Sequence, residues 1–263
     1  MHPKLRSTYR TFLQEVARKL IPCSPHFDIE VLCNKLGAKI VKVSREDYRS
    51  ATLINTQQGY EILIPQEHNK KQLSPFQRFL IAHELGHLLL EREYSTGPIS
   101  QSDYWQYEVL CDYFARLILL PEDYIESKIR TTPSSPKDRL GLSSYIARDA
   151  QVPWPAVAHR IVECDSKYAL FRIMIKPSSD RIKFLLNVST LKDKEFQKSI
   201  FYNDDNELGR LLCRLKNNSF LPLHKSVLDH PSVIKKFPIF QKAIQGGAIR
   251  LKDDEIRLIV QFS

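Results

Sequence analysis

Apolar positions recur along the chain with two periods, and each change of period marks an element. From Tyr9 to Leu20, Phe12, Leu13, Val16 and Leu20 fall on one side of a helix, which the Ile21-Pro22-Cys23-Ser24-Pro25 break ends. A second short helix, Ile29 to Leu36, closes at Gly37, the usual glycine position after a helix. Ala38 to Val43, Thr52 to Asn55 and Tyr60 to Ile64 then read as short strands, separated by polar turns such as Thr56-Gln57-Gln58-Gly59. Two long apolar helices follow. The first is Phe76 to Leu90, with Ser74 as its N-cap and Pro75 in its first turn. The second is Glu108 to Pro121, whose core stripe is Leu110, Phe114, Leu117 and Ile118. Glu91 to Trp105, with Ser95-Thr96-Gly97-Pro98, is expected as a loop between them.

Beyond Pro121 the pattern predicts a short helix from Glu122 to Arg130, then a linker at Thr131 to Asp138. Leu142 to Ile161 reads as helix, turn, helix. Period-two alternation returns in Tyr168 to Lys176 and Arg181 to Val188, a hairpin turning at Pro177-Ser178-Ser179-Asp180. It returns again in Ala248 to Leu251 and Glu255 to Phe262, turning at Lys252-Asp253-Asp254. Helical pieces are expected between the hairpins, near Lys192 to Phe201 and Glu207 to Lys216. The whole is an α+β chain in three parts: residues 1–130, 131–164 and 165–263.

Composition narrows the class. With 263 residues, 43% of them hydrophobic, and only 8 glycines, the chain is globular in character. It has no run of the roughly 18 apolar residues needed to cross a bilayer. The start, Met1-His2-Pro3-Lys4-Leu5-Arg6, lacks the apolar core of a secretory signal. Five scattered cysteines (23, 33, 111, 164, 213) form no Cys-x-x-Cys pair and fit free thiols in a reducing cytoplasm. The net charge of +9 is uneven: residues 164–263 hold 18 basic against 11 acidic side chains. Such an excess can attract nucleic acid, an acidic partner protein or nothing in particular, and no dense arginine run or RNA-binding signature accompanies it.

The first long helix contains His83-Glu84-Leu85-Gly86-His87. Residues four apart on a helix are about 40° apart around the axis and roughly 6 Å along it. His83 and His87 can therefore hold one ion, and Glu84 is placed to reach a water on that ion, the arrangement of a zinc hydrolase. On the second helix Glu108 and Asp112 share a face, so one can complete the coordination while the other orients a ligand histidine. Tyr94, Tyr104, Tyr107 and Tyr113 lie near the site in sequence, and nothing selects one of them as an oxyanion donor.

Together these two stretches resemble the ImmA/IrrE metallopeptidases. Arg78-Phe79 through Ala82-His83-Glu84-Leu85-Gly86-His87 looks like that family's zinc helix. Glu108 to Pro121 looks like its second signature, a glutamate followed four residues on by Asn or Asp, then Phe-Ala and a Leu-Leu-Met-Pro-type end. Cys111 stands where the family usually has alanine, and Leu120 where methionine is common. The resemblance covers residues 50–121 most specifically and extends to 163. It implies a zincin-like metallopeptidase domain over residues 1–130, with a small sheet and a zinc helix. It implies His83, His87 and Glu108 as ligands of one Zn²⁺, Glu84 as general base, and Asp112 as the acid steadying a histidine. Mn²⁺ or Fe²⁺ could also occupy such a site.

Residues 131–164 are similar to the helix-turn-helix that follows the peptidase part in this family. Its second helix offers only His159 and Arg160 outside its apolar positions, so packing is favoured over DNA contact. Residues 165–263 are expected as a small α+β regulatory or partner-binding domain, where longer relatives carry a GAF-like sensor. The resemblance implies an endopeptidase acting on a protein substrate, a DNA-binding transcriptional repressor, in a stress-response or mobile-element circuit, and the cysteine usage makes a cytoplasmic location the expectation. The alternatives are a DNA-binding regulator, or an antitoxin-like binding protein, with a structural or vestigial metal site. Intact Glu84 argues against those, because a structural site gains nothing from a general base. Substrate-binding residues and oligomeric state are not encoded in any motif.

Overall fold

The computed structural model describes residues 3–20, 25–44, 50–66, 72–94, 101–165, 167–176, 181–185, 200–202, 208, 211–212, 215, 219–228, 243–252 and 255–262. They form two compact units. One comprises Met1–Ile125 and Ile146–Val157, the other Glu126–Tyr145 and Ala158–Ser263. No helix among the described residues is long and apolar enough to cross a membrane.

The first unit opens with α1 (Pro3–Leu20) and α2 (Ile29–Lys35). Asp28 caps α2 by accepting the Glu30 N–H at 2.9 Å. Gly37 follows at φ +68°, where a side chain would be strained. Strands β1 (Ala38–Val43), β2 (Thr52–Thr56) and β3 (Gly59–Pro65) form a sheet in the order β1-β3-β2. β1 runs parallel to β3, and β2 pairs antiparallel with it, Leu53 opposite Ile62. Tyr60 to Ile64 thus lie on the central strand, and β2 is an edge.

α3 (Pro75–Tyr94) is the hub of this unit, touching α1, α2, β2, β3 and α4 (Gln101–Leu119). Ile81, Leu85 and Leu88 are fully buried on it, as are Phe114 and Ile118 on α4 and Ile62 and Ile64 on β3. Its start is fixed by a capping box. Ser74 Oγ accepts the Gln77 N–H at 3.3 Å, and Gln77 Oε1 accepts the Ser74 N–H at 2.9 Å. Gln77 Nε2 also donates to the Pro65 carbonyl at 2.8 Å, tying the helix start to the end of β3. At the other end Arg92 donates to the Leu36 carbonyl at 2.7 Å and lies over the Tyr60 ring. The expected loop from Glu91 to Trp105 is shorter than its polar composition suggests. α3 continues to Tyr94 and α4 begins at Gln101, while Ser95 to Pro98 lie outside the described residues.

The chain continues through α5 (Glu122–Arg130), α6 (Pro136–Asp149) and α7 (Trp154–Cys164), and the unit boundaries fall within these helices. Ser135 caps α6, its Oγ accepting the Asp138 N–H at 3.1 Å, so the linker expected up to Asp138 ends earlier. In the turn between α6 and α7, Gln151 adopts φ +53°. Arg160 is 4% exposed and paired with Glu163 at 3.5 Å.

The second unit is built on an antiparallel six-stranded sheet. β4 (Tyr168–Lys176), β5 (Arg181–Leu185), β6 (Ile200–Tyr202), β7 (Phe220–Leu223), β8 (Ala243–Lys252) and β9 (Glu255–Phe262) lie in the order β6-β5-β4-β9-β8-β7. A short helix α8 (Lys225–Leu228) follows β7. Both expected hairpins are present, with Met174 opposite Lys183 and Lys252 opposite Glu255. Their turn residues 177–180 and 253–254 lie outside the described residues, as do residues 21–24 of the first break. Lys192 to Phe201, expected as helix, ends instead in strand β6, and its earlier residues are not described. Of Glu207 to Lys216, Leu208, Leu211 and Leu212 are helical, Leu215 is not, and the rest lie outside the described residues. Leu208, Leu212 and Leu228 pack with Ala248, Leu258 and Val260 in one apolar cluster.

Arg139 on α6 is 4% exposed and meets Asp165 at 3.1 Å, the Ile129 and Thr132 carbonyls at 3.4 Å, and the face of Tyr168. Removing one member of a buried pair strands the other's charge. Arg139→Met should therefore cost about 3 kcal/mol in denaturant unfolding of the full chain.

α3 and α4 approach most closely at Gly86. A Cβ there would stand 3.0 Å from Cys111 Cα and 3.3 Å from its Sγ. Gly86→Ala should destabilise by about 1 kcal/mol despite alanine's better helix propensity, because backbone must move to admit the methyl. Thermal unfolding checks it, and a rise in Tm would contradict the close approach.

Candidate metal centre

The helices place three side chains around one point. His83 and His87 project from successive turns of α3, and their Nε2 atoms are 3.1 Å apart. Glu108 on α4 reaches both, with Oε2 at 3.2 Å from His83 Nε2 and Oε1 at 3.3 Å from His87 Nε2. Donors held about 2.0–2.1 Å from a four-coordinate ion lie roughly 3.3 Å from one another. The three separations match that spacing, so the donor set fits a small divalent cation.

Asp112, one turn beyond Glu108, meets His83 Nδ1 at 2.8 Å. That bond places the Nδ1 proton against a carboxylate and turns Nε2 toward the centre. Glu84 is 8% exposed. Its Oε2 accepts the Leu53 N–H at 3.0 Å, so edge strand β2 holds it from the sheet side. The five residues singled out by the motifs are thus gathered on α3 and α4.

Cys111 adds a sixth group that no motif marks. Its thiol is fully buried, and its Sγ and the ring nitrogens of His83 and His87 lie within 4.8 Å of one another. Only its departure from the family's alanine could have pointed to it. The tyrosines also separate. Tyr94 packs on Tyr9 and Phe12, Tyr107 donates to the Tyr9 hydroxyl at 3.3 Å, and Tyr113 is bonded by Gln14 beneath Arg10. Tyr104, 47% exposed, hydrogen-bonds Glu108 and is the one at the centre.

Charge is balanced across the site. Hydrogen bonds from His83 and His87 hold the Glu108 carboxyl well below the usual carboxylate range. Burial works to lower the pKa of His83, but its bonds to Asp112 and Glu108 outweigh it and raise it to about 9.

Two carboxylates and two histidines on facing helices, beside a small mixed sheet, are the framework of a zincin-like hydrolase. The family model of the IrrE N-terminal-like domain, of peptidase type, matches residues 26–162, just over half of the chain. The chain belongs to the ImmA/IrrE family. No curated protein matches it.

With the Nδ1 proton kept by Asp112, the proton a cation must displace is the one on His83 Nε2. Apparent divalent-metal affinity should rise about tenfold per pH unit from neutrality up to about 9, and level off above. Competition with a chromogenic chelator across this range measures it, and a flat profile would contradict the assignment.

Proposed function

We propose that the chain is an endopeptidase dependent on one Zn²⁺ held by His83, His87 and Glu108. The observation that carries this reading is the convergence of those three donors at mutual distances of 3.1–3.3 Å with Glu84 alongside. Two imidazoles and a carboxylate suit zinc, and Mn²⁺ or Fe²⁺ are the competing occupants. When bound, the cation supplies Lewis acidity that polarises the scissile carbonyl and acidifies the attacking water.

The chain's own residues do the rest. Glu84, anchored through Oε2 by the Leu53 N–H, takes the proton of the attacking water and delivers it to the leaving amine. Asp112 keeps His83 in one tautomer. Tyr104 offers an exposed hydroxyl on the same side as Glu108, suited to the developing oxyanion. Edge strand β2 gives a substrate a backbone to pair with as an added strand.

The family resemblance makes a DNA-binding transcriptional repressor the expected substrate, in a stress-response or mobile-element circuit. The free thiols of Cys33, Cys111 and Cys164 suit a reducing cytoplasm. Direct DNA reading is disfavoured by α7, whose Arg160 is buried against Glu163.

Repressors encoded beside the gene are the substrates to screen, with products read by mass spectrometry. Glu84→Gln should retain metal and lose cleavage by about 10²-fold or more, whereas His87→Ala should lose both. Undiminished cleavage by Glu84→Gln would remove the general-base assignment.

A further inference from the structure

Cys111 is not used by the mechanism above, yet it lies at the heart of the site. It sits on α4 between Glu108 and Asp112 and is pressed against Gly86, which lies between the two histidines on α3. The thiol is 0% exposed, makes no hydrogen bond among the described residues, and shares one cluster with the His83 and His87 ring nitrogens. A buried thiol with no hydrogen bond among the described residues, lying within 4.8 Å of a ring nitrogen of each histidine, is in reach of a cation that the histidines hold.

We propose that Cys111 is a reserve ligand of the metal centre, one that prefers thiophilic cations and can close the coordination shell. This rests on the metal-centre reading given under the proposed function. With His83, His87 and Glu108, the thiol makes four protein donors, the complement of a closed site, whereas three donors leave a position for water. Zn–S near 2.3 Å and Zn–N near 2.0 Å imply S···N separations of roughly 3.5 Å. Sγ lies within 4.8 Å of one ring nitrogen of each histidine, so the approach that ligation needs is at most roughly 1.3 Å from those nitrogens. On binding, the thiol's proton leaves to solvent, sulfur donates a lone pair to the cation, and nothing is oxidised or reduced. Burial, with Glu108, Glu84 and Asp112 nearby, keeps the thiol protonated in the absence of a cation. A divalent charge reverses that balance. The closed form is a latent state with no site for the attacking water, and opening it restores the three-donor centre.

The test is to load the full-length protein with Co²⁺ alone and record its absorption, for wild type, Cys111→Ala and Cys111→Ser. The wild type should show visible ligand-field bands together with a thiolate-to-cobalt charge-transfer band in the near ultraviolet. Both variants should keep the ligand-field bands and lose the charge-transfer band. Cys111→Ala should also lower affinity for Cd²⁺ relative to Mn²⁺ by about tenfold or more. Ligand-field bands without charge transfer in the wild type would overturn the role of Cys111 and leave the metal centre standing. A charge-transfer band that survives in Cys111→Ala would assign the thiolate to another cysteine and also overturn it. Failure of wild type to take up Co²⁺ in equilibrium dialysis would overturn the metal-centre reading itself.

Discussion

The contact between Gly86 and Cys111 is the constraint on which the centre depends. Glu108 and Asp112 are carried by a different helix from the histidines they meet, and a carboxylate reaches only a few ångströms from its own backbone. A Cβ on Gly86 would stand 3.0 Å from Cys111 Cα, so α4 lies as near to α3 as packing allows. The approach lets Glu108 touch both histidines and Asp112 touch His83, without either side chain crossing open space. The capping box at Ser74 and Gln77 and the Arg92 tie to α2 then hold α3 at both ends. Positioning of this kind keeps the donors together before any ion arrives, which lowers the reorganisation that binding would otherwise require.

Much of this was legible in the sequence because it depends on short-range spacing. The i, i+4 pairs His83/His87 and Glu108/Asp112 each fix a shared helix face, and the apolar stripe around them says that face is buried. Strands β1 to β3 were legible for the same reason, since Val- and Ile-rich runs between polar turns leave little choice. Their order was not. Nothing local says that β3 is central or that the Leu53 N–H points at Glu84, because both follow from pairing between distant segments. The four tyrosines were equally indistinct until α1 packed against α4 and drew Tyr107 and Tyr113 away from the site, leaving Tyr104 there.

In the second unit, alternation located the two hairpins but not their union in one sheet. β4 pairs with β9, an association across some 90 residues that no period can reveal. The first half of β8 was missed because Gly246 and Gly247 carry no side chains to alternate. A Cβ on Gly247 would collide with the Phe220 ring from β7, so the bare backbone there is covered by a neighbour's aromatic group. The polar-apolar spacing from Lys192 favours helix, yet Ile200–Tyr202 pairs with β5. Three residues are too few to declare a strand by pattern, and only the partner strand decides it.

On the reading proposed above, His83, His87 and Glu108 jointly hold one catalytic cation. Elemental analysis of the purified wild type beside Glu108→Ala tests it most directly, since Glu108 belongs to the centre only through the folding of α4 onto α3. Close to one equivalent of zinc per chain is expected in the wild type and a large loss in the variant, with both proteins folded by circular dichroism. Zinc retained in full by Glu108→Ala, or absent from the wild type after supply of the metal, would contradict it.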